Sequence, residues 1–74
     1  MMKVYCDAAG LMEVAADKNL GFTELARLAK MSANTLKMIF DGKPVLLGTA
    51  TKLFNALDKD PRIKIWYDDV PANG

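Results

Sequence analysis

Histidine is absent from this chain of 74 residues, and cysteine occurs once, as Cys6. Ordinary zinc sites need several cysteine or histidine ligands, and Cys–His or Ser–His catalytic arrangements need a histidine. This chain can therefore form neither kind of site. A lone cysteine forms no internal disulfide, which argues against a small secreted domain held by bridges. We therefore expect no enzymatic activity and no cofactor, and we interpret Cys6 as a buried free thiol.

Long apolar runs and net charge are also lacking. No stretch approaches the roughly 18–20 apolar residues that span a bilayer, and the N-terminal residues do not resemble a secretory signal. We therefore expect a cytoplasmic protein with no membrane partner. Ten Lys and Arg against nine Asp and Glu leave a net charge of +1, which is low for a nucleic-acid binder. Residues 27–40 nevertheless contain three cationic side chains and no carboxylate.

The composition is that of one small globular domain over residues 1–74. Hydrophobic residues make up 51% of the chain and charged residues 26%, which is ordinary for a folded protein. The carboxylates at Asp58/Asp60 and Asp68/Asp69 lack the spacing of a calcium loop. We interpret them as a turn and as part of a loose tail over residues 68–74, so no metal site is expected.

Apolar residues recur at helical spacing in four segments, which we predict to be helices. The first helix is predicted to end near residue 19 and the second near residue 30. Gly10 disfavours the first turn of the first helix. The predicted N-caps are Asp7, Ser32 and Thr49, and Asn19 and Gly42 are the predicted terminators. The residues predicted to face the core are Leu11, Val14 and Ala15; Leu25, Leu28 and Ala29; Leu36, Ile39 and Phe40; and Ala50, Leu53, Phe54 and Leu57.

Two short segments alternate with a period of two residues. Residues 62–67 place Ile63, Ile65 and Tyr67 on one side, and residues 2–6 alternate in the same way. We expect a C-terminal strand that pairs either with the N-terminal segment or across a dimer. The fold class is therefore a mainly α, four-helix domain with a short C-terminal β-strand.

Residues 22–43 predict two short helices joined by a tight turn, the layout of a DNA-reading helix-turn-helix. The second helix has an apolar side and a polar side, as a recognition helix requires. Asn34 can pair with adenine through two hydrogen bonds, and Lys37 can reach guanine or a phosphate. Ser32 or Thr35 can contact phosphate. Short helix pairs of this kind also occur in other helical domains, so a purely structural role stays open.

The pattern Leu25-Ala26, Met31-Ser32, Leu36, Ile39 and Gly42 resembles the Cro and C-repressor type of phage and bacterial regulators, a lambda-repressor-like helix-turn-helix family. The segment Lys37–Gly42 is also similar to the end of the recognition helix in lambda repressor, and the resemblance covers roughly residues 11–57. It implies a fold of the lambda-repressor type and a helix-turn-helix at about 22–42. The positions that it implies for base reading are Ala33, Asn34, Lys37 and Met38, with Lys43 near a phosphate.

Three positions depart from this family pattern. Phe22 stands where many members carry a glutamine that contacts the DNA backbone, and we interpret it as a core or staple residue. Lys30 replaces the turn glycine and adds positive charge at a backbone position that favours glycine. Ala33 offers only a methyl group, which can contact a thymine methyl.

The resulting function hypothesis is a transcriptional repressor that binds double-stranded operator DNA as a homodimer. The candidate contacts to the DNA backbone are Ser32, Thr35, Lys30 and Lys43, and the candidate dimer contacts are Ile63, Ile65, Trp66 and Tyr67. Trp66 and Tyr67 could instead cover their own core. The alternative is a protein-binding module of antirepressor or antitoxin type, and an RNA-binding role is the weaker third reading. No small-molecule ligand is evident from the sequence.

Overall fold

The computed structural model describes residues 2–67, and the predicted tail at residues 68–74 lies outside them. The elements are, in order, β1 (Lys3–Cys6), α1 (Ala8–Asp17), α2 (Phe22–Leu28), α3 (Ala33–Phe40), β2 (Val45–Leu46), α4 (Leu47–Ala56) and β3 (Ile65–Tyr67). The predicted mainly helical class is confirmed. None of the described helices is long and apolar enough to cross a membrane.

One hydrophobic core joins all four helices to the sheet. Most of the residues predicted to face inward are buried: Leu11, Val14, Ala15, Leu25, Ala29, Leu36, Ile39, Ala50, Leu53 and Leu57. Phe40 and Phe54 are partly buried against this cluster. Cys6 is buried as predicted, and burial raises the pKa of its thiol to about 11.

Leu28 was wrongly assigned to the core, since its side chain is 48% exposed. The buried stripe of α2 is formed by Leu25, Ala26 and Ala29. Leu28 lies about 100° around the helix from the middle of that stripe. Spacing alone did not reveal this, because residues three apart fit either side of a helix this short.

Each of the four helices in residues 2–67 ends in the same way, with a left-handed residue just past the C-cap. These residues are Asn19, Lys30, Gly42 and Asp58. In each case the amide of that residue and the amide that follows donate to carbonyls of the last helical turn, as in a Schellman motif. The predicted terminators Asn19 and Gly42 are confirmed, with φ of 58° and 80°.

The predicted N-caps have different outcomes. The Asp7 carboxylate accepts a hydrogen bond from the Gly10 amide at 3.1 Å, and Ser32 Oγ accepts one from the Thr35 amide at 3.1 Å. Thr49 is wrong as a cap, because α4 begins at Leu47 with Leu46 at the N-cap and no side-chain hydrogen bond there. Leu46 is also paired in the sheet, so the strand pairing sets where this helix begins.

The sheet has the strand order β2–β1–β3, with both pairings antiparallel. Of the two alternatives for the C-terminal strand, the structure shows the pairing with the N-terminal segment, in which Tyr5 lies opposite Trp66. The third strand, β2, was not predicted. Its two residues are too few to show alternation, and Val45 pairs with Val4 on the other side of β1.

The C-terminal strand is shorter than the predicted 62–67. Arg62 and Ile63 belong to the preceding turn, where their amides donate to the Asp60 side chain at 2.9 Å and to the Asp60 carbonyl at 3.0 Å. The strand therefore begins only at Ile65. Ile63 is still buried, so its apolar character was correctly detected but its secondary structure was not.

Gly10 is explained by a close approach of two backbones. A Cβ at this position would lie 1.9 Å from the carbonyl oxygen of Arg62. The two segments are also joined by a hydrogen bond from the Asp7 amide to the Lys64 carbonyl at 2.8 Å. Glycine is therefore required here so that α1 can pack against the segment leading into β3, which outweighs its low helix propensity.

Arg62 also anchors this junction through its side chain. Its guanidinium contacts the carboxylates of Asp60 at 3.0 Å, Glu13 at 3.1 Å and Asp17. The hydrogen bonds from Arg62 lower the pKa of the Asp60 carboxyl to about 2. The hydrogen bonds to these carboxylates in turn raise the pKa of Arg62, and the bond to Asp60 has the largest effect. We call Asp60, Arg62, Glu13 and Asp17 the Arg62 cluster.

Candidate nucleic-acid interface

The helix α3 is fixed on one side and open on the other. Leu36 and Ile39 are 0% and 1% exposed, so the inner side is completely covered by the core. The four predicted base-reading residues, Ala33, Asn34, Lys37 and Met38, are all exposed. The structure therefore brings these side chains together on one surface, which we call the α3 face.

The start of α3 has a hydroxyl pair. Ser32 Oγ and Thr35 Oγ1 lie 2.9 Å apart, while Ser32 Oγ also accepts from the Thr35 amide. Only one of the two hydroxyl hydrogens is used between them, so one O–H remains to donate outward. A phosphate oxygen at this position would also meet the positive end of the helix dipole.

Lys37 is only partly available for a partner. Its Nζ lies 3.1 Å from Asp41 Oδ2, one helical turn away, while its side chain remains 67% exposed. The carboxylate reduces the positive potential of the α3 face. An exposed pair of this kind contributes about 1 kcal/mol or less, so a phosphate or a base could replace Asp41. Asp41 was not singled out from the sequence, although the spacing of four residues indicates such a pair.

Lys30 and Lys43 lie at the two ends of the α3 face. Lys30 occupies the left-handed position after α2 with φ of 57°, and Lys43 follows Gly42 at the end of α3. Both are exposed, and neither forms an ion pair with a described residue. Their charges are therefore available to an anionic partner.

The start of α2 does not offer a comparable anion site. Phe22 packs against Phe40 with ring centroids 5.9 Å apart, so it acts as a packing residue, although it is 44% exposed. The Glu24 carboxylate accepts from the Gly21 amide at 2.8 Å. A phosphate approaching this end of the helix would meet that negative charge.

The candidate dimer residues have unequal access to solvent. Ile63 is 3% exposed within its own subunit, which leaves it no surface for a partner. Ile65 is partly buried, while Trp66 and Tyr67 are 52% and 62% exposed. These three residues form β3, an edge strand of the described sheet, whose outer backbone groups are a template for pairing.

Within residues 2–67, no group of three or more cysteine or carboxylate side chains has a geometry that could hold a metal ion. No protein-family model matches the chain, and neither a curated protein nor a solved structure matches it. Any function must therefore be argued from the fold and from the exposed side chains.

Proposed function

We propose that this protein is a sequence-specific DNA-binding transcriptional regulator that reads operator DNA through the α3 face. The observation that carries the proposal is the division of α3 into a fully buried apolar side and a polar exposed side, with a capped and open N-terminus. This is the arrangement that a helix needs to enter the major groove without losing its position in the core.

Each candidate contact residue has a distinct role in the proposal. Asn34 pairs with adenine through its side-chain amide, and Lys37 contacts guanine or a phosphate after leaving Asp41. Ala33 and Met38 make apolar contacts, with Ala33 suited to a thymine methyl. The backbone contacts are made by Ser32, Thr35, Lys30 and Lys43.

Binding as a homodimer compensates for the low net charge of +1. Two copies place two recognition helices in successive major grooves and add their phosphate contacts. Trp66 and Tyr67 are the proposed contacts, because their side chains are 52% and 62% exposed and both lie on β3, an edge strand of the described sheet. Trp66→Ala should shift the monomer–dimer equilibrium toward monomer in sedimentation equilibrium, with the helix content unchanged by circular dichroism.

The DNA-reading proposal is tested on a site selected from random DNA, with fluorescence anisotropy as the readout. Asn34→Ala should weaken binding to that site by about 1–3 kcal/mol and relax the choice of base at one position. Lys43→Ala should weaken binding to all sequences similarly and flatten the dependence of affinity on salt.

Matched controls come from α4, where Asn55 and Lys52 are also exposed. Asn55→Ala and Lys52→Ala repeat the same chemical changes away from the α3 face, and both should leave affinity unchanged. The assignment of the α3 face fails if Asn34→Ala and Lys43→Ala behave like these two controls.

A protein-binding module of antirepressor or antitoxin type is the second candidate. Met38 is 40% exposed and Leu28 is 48% exposed, and Asp41 partly neutralises the α3 face. Retention on heparin or random-sequence DNA separates the two functions. Strong retention that falls steeply with salt supports DNA, because counterion release dominates non-specific binding. No retention at low salt supports a protein partner.

A further inference from the structure

An apolar groove of about 400 Å³ lies between α1, α2 and α3, next to the α3 face, with which it shares Lys37. The apolar side chains that form it include Met12, Ala16, Leu20, Phe22, Leu25 and Phe40. Met12 and Phe22 are 60% and 44% exposed, so apolar surface remains open to solvent in the groove. Exposed apolar surface of this kind, concentrated in a concave site, is typical of ligand-binding sites.

One cationic side chain lines this groove. Lys37 is the single charged residue among the described residues that line it. Its ammonium already holds a carboxylate, that of Asp41, at 3.1 Å. The groove therefore combines an apolar body with one site that binds a carboxylate group, and the exposed Asp41 is held weakly enough to be exchanged.

The size of the groove favours a small molecule over a protein. Nine residues line it, whereas a stable protein interface involves roughly 20–30 residues on each side. Its volume lies at the lower end of the range for small-molecule sites, which is about 300–1,000 Å³. A chain of roughly ten carbons with one anionic head fits both the volume and the placement of charge.

We propose that this groove binds a small amphipathic carboxylate, with its apolar chain against Phe22, Phe40 and Met12 and its carboxylate on Lys37. The ligand takes the place of Asp41 on the ammonium. Because Lys37 also belongs to the α3 face, the bound ligand withdraws a cationic side chain from DNA. This second step rests on the proposed function, and it makes the ligand a negative regulator of DNA binding.

The binding step is tested without DNA. Sodium decanoate, kept below its micelle concentration, should bind saturably in calorimetry and shift the backbone amide resonances of residues lining the groove in ¹⁵N–¹H spectra. Sodium acetate at the same concentration should do neither, because it lacks the apolar chain.

Two variants of α1 form a matched pair for this test. Ala16→Leu fills the groove from an exposed helical position, and it should weaken decanoate binding at least tenfold. Ala9→Leu makes the same change on an exposed position of the same helix that does not line the groove, and it should have no effect. Both variants should retain the helical circular dichroism spectrum.

The head-group contact is tested by Lys37→Met and by a ligand of opposite charge. Lys37→Met should weaken decanoate binding by about two- to fivefold, as expected for an exposed ion pair. Decylammonium should bind the unmodified protein more weakly than decanoate does, and Lys37→Met should remove that preference.

Three results would overturn the binding proposal. One is an absence of saturable decanoate binding, and another is equal binding by Ala16→Leu and Ala9→Leu. The third is a change in oligomeric state in Ala16→Leu alone, which would show that a second copy of the chain occupies the groove.

The regulatory step is measured separately by anisotropy on the selected DNA site. Decanoate should weaken DNA binding about fivefold or more in the unmodified protein. In Ala16→Leu, DNA binding should be normal and insensitive to decanoate. Decanoate binding by a protein that fails to bind DNA would refute the proposed function alone, whereas DNA binding unaffected by saturating decanoate would refute the regulatory step alone.

Discussion

At the junction between α1 and the turn before β3, the Arg62 guanidinium contacts three carboxylates, whereas Lys30 and Lys43 beside α3 contact no carboxylate of the described chain. The two regions contain similar numbers of charged side chains but differ in how many of them form ion pairs. In the Arg62 cluster, one guanidinium holds three carboxylates within the fold. Beside α3, Lys30 and Lys43 form no ion pair with a described residue, and only Lys37 on the α3 face is paired, with Asp41.

The two regions also differ in how closely the backbone is packed. At the junction, α1 approaches the Arg62 carbonyl so closely that only glycine fits at position 10. The α3 face lies on a helix whose contacts with the core are made by side chains on its inner side. We therefore expect changes at the junction to affect folding and, if the proposed function holds, changes on the α3 face to affect DNA binding.

The largest effect is expected from Gly10→Ala. Alanine normally stabilises a helix by about 1 kcal/mol relative to glycine, but here its Cβ would collide with the Arg62 carbonyl at 1.9 Å. We expect a loss of about 3 kcal/mol in the free energy of unfolding, measured by urea denaturation. Gly48→Ala in α4, where the new Cβ meets nothing within 4 Å, is the control and should be neutral or stabilising. Equal behaviour of the two variants would rule out the close approach.

Lys30→Gly should raise stability by about 0.5–1 kcal/mol, because glycine adopts the left-handed conformation at this position without strain. Lys30→Ala removes the same charge but keeps a Cβ, so it should bring no gain. Urea denaturation of the two variants separates the backbone effect from the loss of charge. If the proposed function holds, both variants should weaken DNA binding equally, despite their different stabilities. A gain shared by both would mean that charge, and not conformation, limits stability here.

A smaller change is expected from Asp41→Asn, which releases Lys37 from its carboxylate partner. Affinity for DNA should rise by about 0.5 kcal/mol at low salt, and the gain should fade as salt screens the charges. Anisotropy titrations at two salt concentrations measure this. Asp58→Asn releases Lys18, which does not belong to the α3 face, and should leave the affinity unchanged. An unchanged affinity in Asp41→Asn would mean that Lys37 does not contact DNA.

The smallest effect concerns pH. Because the pKa of Asp60 is about 2 in the folded protein and 3.8 without its partners, the unfolded chain binds this proton more readily. The stabilisation is therefore complete above about pH 4 and is lost as the pH falls toward 2. Thermal unfolding from pH 5 to 2 should show a shallower decline in Asp60→Asn than in the unmodified protein. Parallel declines would indicate that Arg62 does not stabilise the ionised carboxylate.

The sequence was sufficient to predict elements whose cause is local. Asp7 and Ser32 cap helices through hydrogen bonds to amides three residues away, and Gly42 ends α3 with its own φ of 80°. The buried side of α3 follows from helical spacing alone. The same locality explains why the four candidate reading residues could be expected to share one surface.

The sequence was insufficient where a distant segment decides the outcome. Thr49 is a good cap by type, but α4 begins earlier because Leu46 pairs with Lys3 in the sheet. Gly10 is unfavourable by helix propensity alone, and only the approach of the Arg62 carbonyl, which is distant in sequence, explains it. The apolar groove could not be predicted either, because its walls come from three helices that are separate in the sequence.

The position of β1 has a consequence for the order of folding. Val4 pairs with Val45 on one side and with Tyr67 on the other, so the strand nearest the N-terminus is central in the sheet and both of its neighbours come later in the chain. Local helices form faster than contacts between distant segments. We therefore expect α1–α4 to gain structure first. The sheet should form last, when β3 pairs with β1.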